Sequence, residues 1–451
     1  MEIIEETKYW NKPLETTPQK ELQKIQLKKL KYEMNYAYHN TRYYKRSFHE
    51  ARITPEDIKT MEDFKKVPIL FKDNLREDRA KSGDPFGGIL AVPLGERIRI
   101  INASTGTTGA PSVFAYTNDD WIQGVEQEVR VKWGRGYRPG TKVYTSGFRW
   151  HGYLPLAYTG ADALGFQTIA ETGYPLPNLS QKHVIALKYF KPEVLTAPIP
   201  TLYSITEAAK TLGEDLKQIL KNLKVIDTGY GDIVTMPVKK RMEEETGVIP
   251  ERIYDFGGVV DPLWYFGDCP SHLGDHSCDD LFLLDTVDDE THEVLPEGER
   301  GEILISNLFA EATPIIKWGS EDIGYIERSI CECGRTHSRV HILGRTALAA
   351  NIKGRKVFLS ELENILGDIP GFTEYFTVLK YSKGTMNTLK IKMSVNKDKI
   401  KDMNAFTDEV KKRIKKNLGV DSDITIVESA EELPFAGHKT IKLLDLTKEQ
   451  K

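Results

Sequence analysis

The chain has 451 residues, 40% of them apolar and 28% charged, with a formal net charge of −4 and an isoelectric point near 6.3. Such values suit a globular chain of two or three domains and argue against a nucleic-acid partner, which would call for a basic surface. No run approaches the roughly 18 apolar residues of a membrane span, and the acidic start "MEIIEETKYWNKP" has no apolar signal core, so a cytoplasmic protein with no membrane partner is expected.

Leu22, Ile25, Leu30, Met34 and Ala37 recur at helical spacing with Lys and Glu between them, which predicts a surface helix over 18–46. Thr54-Pro55-Glu56-Asp57 has the form of another helix start. "RIRIINA" (97–103) and "SVFAYT" (112–117) read as strands on either side of a polar loop. "KVYTSG" (142–147), "FQTIAE" (166–171) and "VLTAP" (194–198) read as short buried strands, "PVKKRMEEETG" (237–247) as a charged helix stopped by glycine, and "GEILISNL" (301–308) as a strand. Strands alternating with helices predict an α/β body from about 90 to 345.

The last hundred or so residues change character. "EYFTVLKY" and "TLKIKMSV" alternate like an antiparallel pair around the turn "SKGTMN". Ile400, Met403, Phe406, Val410, Ile414 and Leu418 mark one helix face ended by Gly419, and "DITIVES" supplies a further strand. This predicts a small α+β domain, with the boundary near "GRTALAANIKG" dividing the chain into 1–344 and 345–451.

The loop "ASTGTTGAPS" (103–112) holds five hydroxyl side chains and two glycines but no lysine. Gly106 and Gly109 free the backbone to present N–H groups, and Ser104, Thr105, Thr107 and Thr108 add hydroxyl donors, a combination suited to phosphate. It joins two strands and lacks Gly-Lys, so it is not a Walker loop; by composition alone a solvated hairpin turn explains it equally well. All four cysteines, Cys269, Cys278, Cys331 and Cys333, fall in "CPSHLGDHSC" and "CEC". In a reducing compartment that clustering suggests zinc, with C-x-C as one half-site and Cys269, His272, His276 and Cys278 competing for the other.

"ASTGTTGAPSVFAYT" resembles the phosphate-binding signature of the adenylate-forming enzymes, in particular the phenylacetate–CoA ligase family. Seven further segments resemble that family in its own order: "YWNKPLETTPQKELQ" onward, "MEDFKKVPILFKDNLRE", "GYLPLAYTGADALGFQTI", "RIYDFGGV", "TPIIKWGSEDIGYI", "GRTALAANIKGRKVFLSELENIL" and "LPFAGHKTIKLLD". The resemblance spans nearly the whole chain. It implies a large multi-sheet α/β N-terminal domain with a small mobile α+β C-terminal domain. It also implies a two-step reaction: a carboxylate attacks the α-phosphorus of ATP to give an acyl adenylate, and the thiol of coenzyme A then displaces AMP. ATP, Mg²⁺, coenzyme A and a small carboxylic acid, aromatic or arylacetic, are the implied ligands, and dimerisation is implied by analogy.

Residue by residue, Lys439 matches the family's catalytic lysine in "LPFAGHKTIKLLD", with Lys442 as the fallback. Asp322 matches the acid that accepts from the ribose hydroxyls, and Arg345 the junction arginine near ribose or phosphate. Tyr254, Asp255 and Phe256 match one side of the adenine site, and Gly229, Tyr230 and Gly231 the other. Trp150, His151 and Tyr153 of "FRWHGY" are assigned to the acyl pocket, although core packing would explain so aromatic a stretch as well. The family's "C-x(n)-G-L-H" pattern selects Cys269, His276, Cys331 and Cys333 as a structural Zn²⁺ set, with Cys278 or His272 as substitutes.

The chain also departs from the family. Ala110 follows "GTTG" where most relatives carry lysine; Gly258 stands where the family's glutamate helps hold Mg²⁺, with Asp261 three residues on; and Ala347 and Leu348 replace acids at the hinge. These departures keep open a non-catalytic relative that binds nucleotide or acyl-CoA, and an enzyme that transfers to a carrier protein or an amine.

Overall fold

Short apolar runs can be buried on both faces only if helices cover both sides of a sheet, and that is how the chain is built. The structure, a computed structural model, describes residues 8–103, 112–146, 160, 163–171, 177–229, 233–382, 384–429, 432–436, 439–440 and 442–447. Its centre is an eleven-stranded sheet. One half is parallel, in the order Gln167–Glu171, Lys142–Ser146, Val194–Thr196, Val225–Gly229 and Ile253–Val259. The other half is antiparallel, running from Ile253–Val259 through Trp264–Gly267, Asp275–His276, Arg339–Arg345, Trp318–Glu327 and Gly301–Asn307 to Phe282–Val287.

Val225–Gly229 is buried at every position. Its Ile226 packs with Leu195, Leu202, Ile205 and Met242 of the neighbouring strand and covering helices. The helix Met236–Thr246 ends where Gly247 takes a left-handed φ of 81°, as a glycine stop should. The strands flanking the polar loop, Ile98–Ala103 and Val113–Thr117, pair antiparallel as a separate hairpin.

Two helical expectations are corrected. Residues 18–46 are not one helix: Gln19–Asn40 and Arg42–Glu50 meet at Thr41, whose backbone is extended and whose hydroxyl accepts from Tyr44 N at 3.2 Å. A capping oxygen at that position starts a second helix more cheaply than it continues the first. Thr54–Asp57 begins only the single turn Pro55–Asp57; the next helix, Met61–Phe64, is capped by Thr60.

The C-terminal part has its own four-stranded sheet, ordered Ser422–Ile426, Leu389–Val395, Phe372–Lys380 and Leu443–Asp445, backed by Leu359–Leu366 and Met403–Leu418. Among the described residues its core, including Leu362, Phe376, Ile391, Met393, Phe406, Val410 and Ile414, draws only on residues after 349. Ile400 lies before the helix rather than on it, because Asp402 accepts from Asn404 N and Ala405 N and fixes the start at Met403. Arg300 joins the two parts, reaching Glu361 at 3.0 Å and the Lys356 carbonyl at 2.6 Å. Among the described residues no helix is long and apolar enough to cross a membrane.

Candidate active site and metal centre

The sheet changes from parallel to antiparallel at Ile253–Val259, and ligands of such sheets favour the carboxyl ends of the parallel strands. Register puts the expected adenine segments side by side there: Asp227 opposite Tyr254, Thr228 opposite Asp255, and Gly229 opposite Phe256. Gly229 has a φ of 128°, and a Cβ there would collide with the Asp255 carboxylate and the Phe256 carbonyl; only glycine fits. Asp255 accepts from Val234 N at 3.1 Å. Burial pushes its carboxyl up to about 7, with Asp268 adding to the rise.

Tyr254 requires a correction. Its side chain is 1% exposed, with the His272 ring stacked at 5.2 Å and the Arg135 guanidinium 5.1 Å from its centroid. That ring belongs to the core and is not open to a base. Phe256, half-buried and 5.7 Å from the Tyr265 ring, remains the aromatic side chain of this segment nearer the surface.

Below these strands lies a residue the sequence did not single out. Arg135, at the end of the helix Asn118–Gly134, is 0% exposed at its side chain and pairs with Asp227 at 2.9 Å. It also donates to the carbonyls of Asp268, at 2.9 Å, and Asp255. One guanidinium therefore ties two neighbouring strands to the loop that begins the cysteine cluster, using the planar fork that lysine lacks. No spacing rule in the sequence marks a single arginine for that task.

Asp322 and Arg345 are cross-strand partners, joined by an ion pair of 3.2 Å. Burial raises the Asp322 carboxyl and Arg345 opposes that rise. The Gly258 backbone pairs with Tyr265, and the junction residues Ala347 and Leu348 lie in the exposed turn Thr346–Leu348. Lys439 falls in the two-residue strand Lys439–Thr440, paired with Phe435–Ala436. Lys442 is engaged elsewhere, 3.1 Å from Glu363 and 4.2 Å from the Phe376 centroid. Ser104, Thr105, Gly106, Thr107, Thr108, Gly109, Ala110, Tyr230, Gly231, Trp150, His151 and Tyr153 lie outside the described residues.

Cys269, His276, Cys331 and Cys333 converge, with their ligand atoms all within 4.8 Å of one another. The Cys269 and Cys331 sulfurs are 3.8 Å apart, and Cys333 Sγ is 3.4 Å from His276 Nε2. Tetrahedral zinc with bonds of about 2.3 Å to sulfur and 2.0–2.1 Å to nitrogen implies edges of roughly 3.8 and 3.5 Å, so the donor set fits. Contacts with Cys269 and His276 hold the Cys333 thiol well below its usual range, favouring the thiolate that metals bind. The C-x-C turn closes through Gly334, where φ is 88° and a Cβ would strike the Tyr9 hydroxyl. The two substitutes are not part of the cluster: His272 bonds Asp268 and, at 3.1 Å, Lys239, while Cys278 is buried near Arg130.

The fold, a large α/β part followed by a smaller C-terminal one, is that of solved acyl-CoA ligases. The family model described as the AMP-binding enzyme C-terminal domain matches residues 354–447. The phenylacetate–coenzyme A ligase of Thermus thermophilus is 28% identical, covering 96% of this chain and 99% of that one. The ligase of the same name from Escherichia coli is 27% identical over 96% and 97%. A solved 2-hydroxyisobutyryl-CoA ligase, in its postadenylation state with 2-HIB-AMP, superposes with a TM-score of 0.84 at 24% identity, covering 98% and 93%. Over nearly its whole length the chain is similar to phenylacetate–CoA ligases.

Proposed function

We propose that the protein is an AMP-forming carboxylate–CoA ligase: it activates a carboxylic acid with ATP to an acyl adenylate and transfers the acyl group to coenzyme A. The observation carrying this reading is the likeness to phenylacetate–coenzyme A ligases over 96% of the chain, together with a C-terminal domain match that spans Lys439. An aromatic or arylacetic acid is the substrate class that likeness favours.

Each described residue has work in such a reaction. Gly229 and the Asp255–Phe256 backbone form an edge that a flat base can approach closely. Asp322 accepts from the ribose hydroxyls once Arg345 swings from its carboxylate towards the nucleotide, a movement open to a side chain 54% exposed. Lys439 brings an ammonium to the carboxylate and α-phosphate, stabilising charge that builds between them. With residues 345–451 as the second domain, the exposed turn Thr346–Leu348 serves as the hinge that brings Lys439 in for adenylation and out for thioester formation. Zinc bound by Cys269, His276, Cys331 and Cys333 would supply no chemistry; these residues fasten the loop after Trp264–Gly267 to the C-x-C turn.

Acid-dependent ATP–pyrophosphate exchange, run with pooled aromatic and aliphatic acids and Mg²⁺, tests adenylation without assuming the acceptor. Exchange with an aromatic pool, followed by thioester formation with coenzyme A, is the expected result. ATP binding without exchange in any pool would favour a non-catalytic relative.

A further inference from the structure

Residues 9–17 run against the loop 331–337, which carries the C-x-C pair. The Tyr9 hydroxyl donates to the Cys333 carbonyl at 3.0 Å. The Glu15 carbonyl accepts from Thr336 N at 3.1 Å, the Thr17 carbonyl from the Thr336 hydroxyl at 2.6 Å, and the Leu14 carbonyl from His337 Nε2 at 2.8 Å. Trp10 meets Trp133 edge to face at 5.3 Å between centroids, and its ring N–H donates to Glu126 at 3.1 Å.

One side chain links this segment to the cysteine sulfurs. Arg335 is buried, and its three nitrogens bond in three directions. Nε donates to Glu15 Oε2 at 2.7 Å, one terminal nitrogen donates to Cys333 Sγ at 3.7 Å, and the other reaches the Arg130 carbonyl at 3.4 Å. Glu15 is also buried, and its second oxygen accepts from Asn11 N at 2.7 Å. Because the guanidinium is planar, fixing its Nε on Glu15 also fixes the direction in which it meets sulfur.

A cationic N–H aimed at a sulfur favours the thiolate, which is the form that binds a metal. Partners that hold a metal ligand from outside its bonds orient it and raise metal affinity. We propose that Arg335 couples metal binding at the cysteine cluster to the seating of residues 9–17. Glu15 sets the guanidinium, and the guanidinium holds the Cys333 sulfur for the metal. Such coupling is reciprocal, so the metal fastens the segment just as the segment strengthens the metal site. This rests on the reading that Cys269, His276, Cys331 and Cys333 hold zinc, and not on the reaction.

The test uses the full-length protein as wild type, Arg335→Met, Glu15→Gln and the double variant, with circular dichroism as a check on folding. Competition with a chromogenic chelator measures Zn²⁺ affinity, and Co²⁺ in place of Zn²⁺ gives a thiolate-to-metal absorption band. Mass spectrometry follows hydrogen exchange over residues 9–17 with zinc bound and after its removal. Arg335→Met should bind Zn²⁺ roughly tenfold or more weakly, the usual cost of losing such a partner, and should shift the Co²⁺ band. Glu15→Gln should weaken binding in the same direction, and the double variant should lose little beyond Arg335→Met. Removing zinc from wild type should raise exchange over 9–17.

Wild-type Zn²⁺ affinity in Arg335→Met overturns the assignment. So do fully additive losses in the double variant, which would mean that Glu15 does not act through Arg335. Hydrogen exchange over 9–17 that ignores zinc in wild type overturns the coupling. If Arg335→Met does not fold, an unchanged Zn²⁺ affinity in Glu15→Gln overturns it too. Wild-type protein that takes up neither Zn²⁺ nor Co²⁺ overturns the reading of the cluster itself, and this proposal with it.

Discussion

Replacing Arg135 by methionine should expose how far the strand edge at Gly229 and Asp255, proposed above to meet the nucleotide, depends on one buried charge. The side chain is 0% exposed and its partner Asp227 1% exposed. The substitution keeps most of the volume but leaves Asp227 as an anion whose remaining bond is from the Tyr137 hydroxyl. It also strips donors from the carbonyls of Asp255 and Asp268. Breaking a buried pair from one side costs about 3–5 kcal/mol. Unfolding entropy of about 2.1 cal/mol/K per residue, over a cooperative unit of roughly 340 residues, gives about 0.7 kcal/mol/K, so the melting temperature should fall by roughly 4–7 °C. Scanning calorimetry of Arg135→Met, Asp227→Asn and the double variant measures this directly. The double variant should recover much of the loss, because no charge is then left unpaired. A single-variant cost below about 1 kcal/mol, or a double variant no more stable than Arg135→Met, would refute the argument. The KM for ATP should rise in Arg135→Met, since the same guanidinium holds the Asp255 carbonyl.

Other outcomes can be checked separately. Lys439→Ala should abolish pyrophosphate exchange while leaving ATP binding largely intact; unchanged exchange would remove Lys439 from the mechanism. Purified protein should contain about one zinc per chain, the count a four-ligand site requires, and Cys333→Ser should lower both the zinc content and the melting temperature. For Asp255, the folded carboxyl lies near 7 against an ordinary 3.8. The fold therefore holds a proton that the unfolded chain releases, and stability contributed below the ordinary value is lost as pH rises towards 7. Asp255→Asn should accordingly gain stability relative to wild type between pH 4 and 7 and hold that gain above it; parallel melting curves across that range would contradict the assignment.

Local pattern carried much of the architecture. The buried strand "VLTAP", the glycine-stopped helices ending at Gly247 and Gly419, and the antiparallel pair around 381–388 follow from periodicity and stop signals that act within a few residues. The helix break at Thr41 was hidden because the apolar spacing runs through it, while the break depends on one hydroxyl turning to cap the next helix. The two-residue strand Asp275–His276 is too short to show a period; it exists because Gly267 and Arg339 lie on either side of it.

The chemistry divides in the same way. Sequence alone marked the cysteine cluster, because it is a residue type in a short recognisable context, and the resemblance singled out Gly229, Asp322 and Arg345, which the fold sets in paired strands. Tertiary structure decided that His276 joins Cys269, Cys331 and Cys333 while His272 turns to Asp268 and Lys239. It also turned the Tyr254 ring into the core. Arg135 took its meaning only from the fold, since a charge becomes costly, and so informative, once packing removes the water around it.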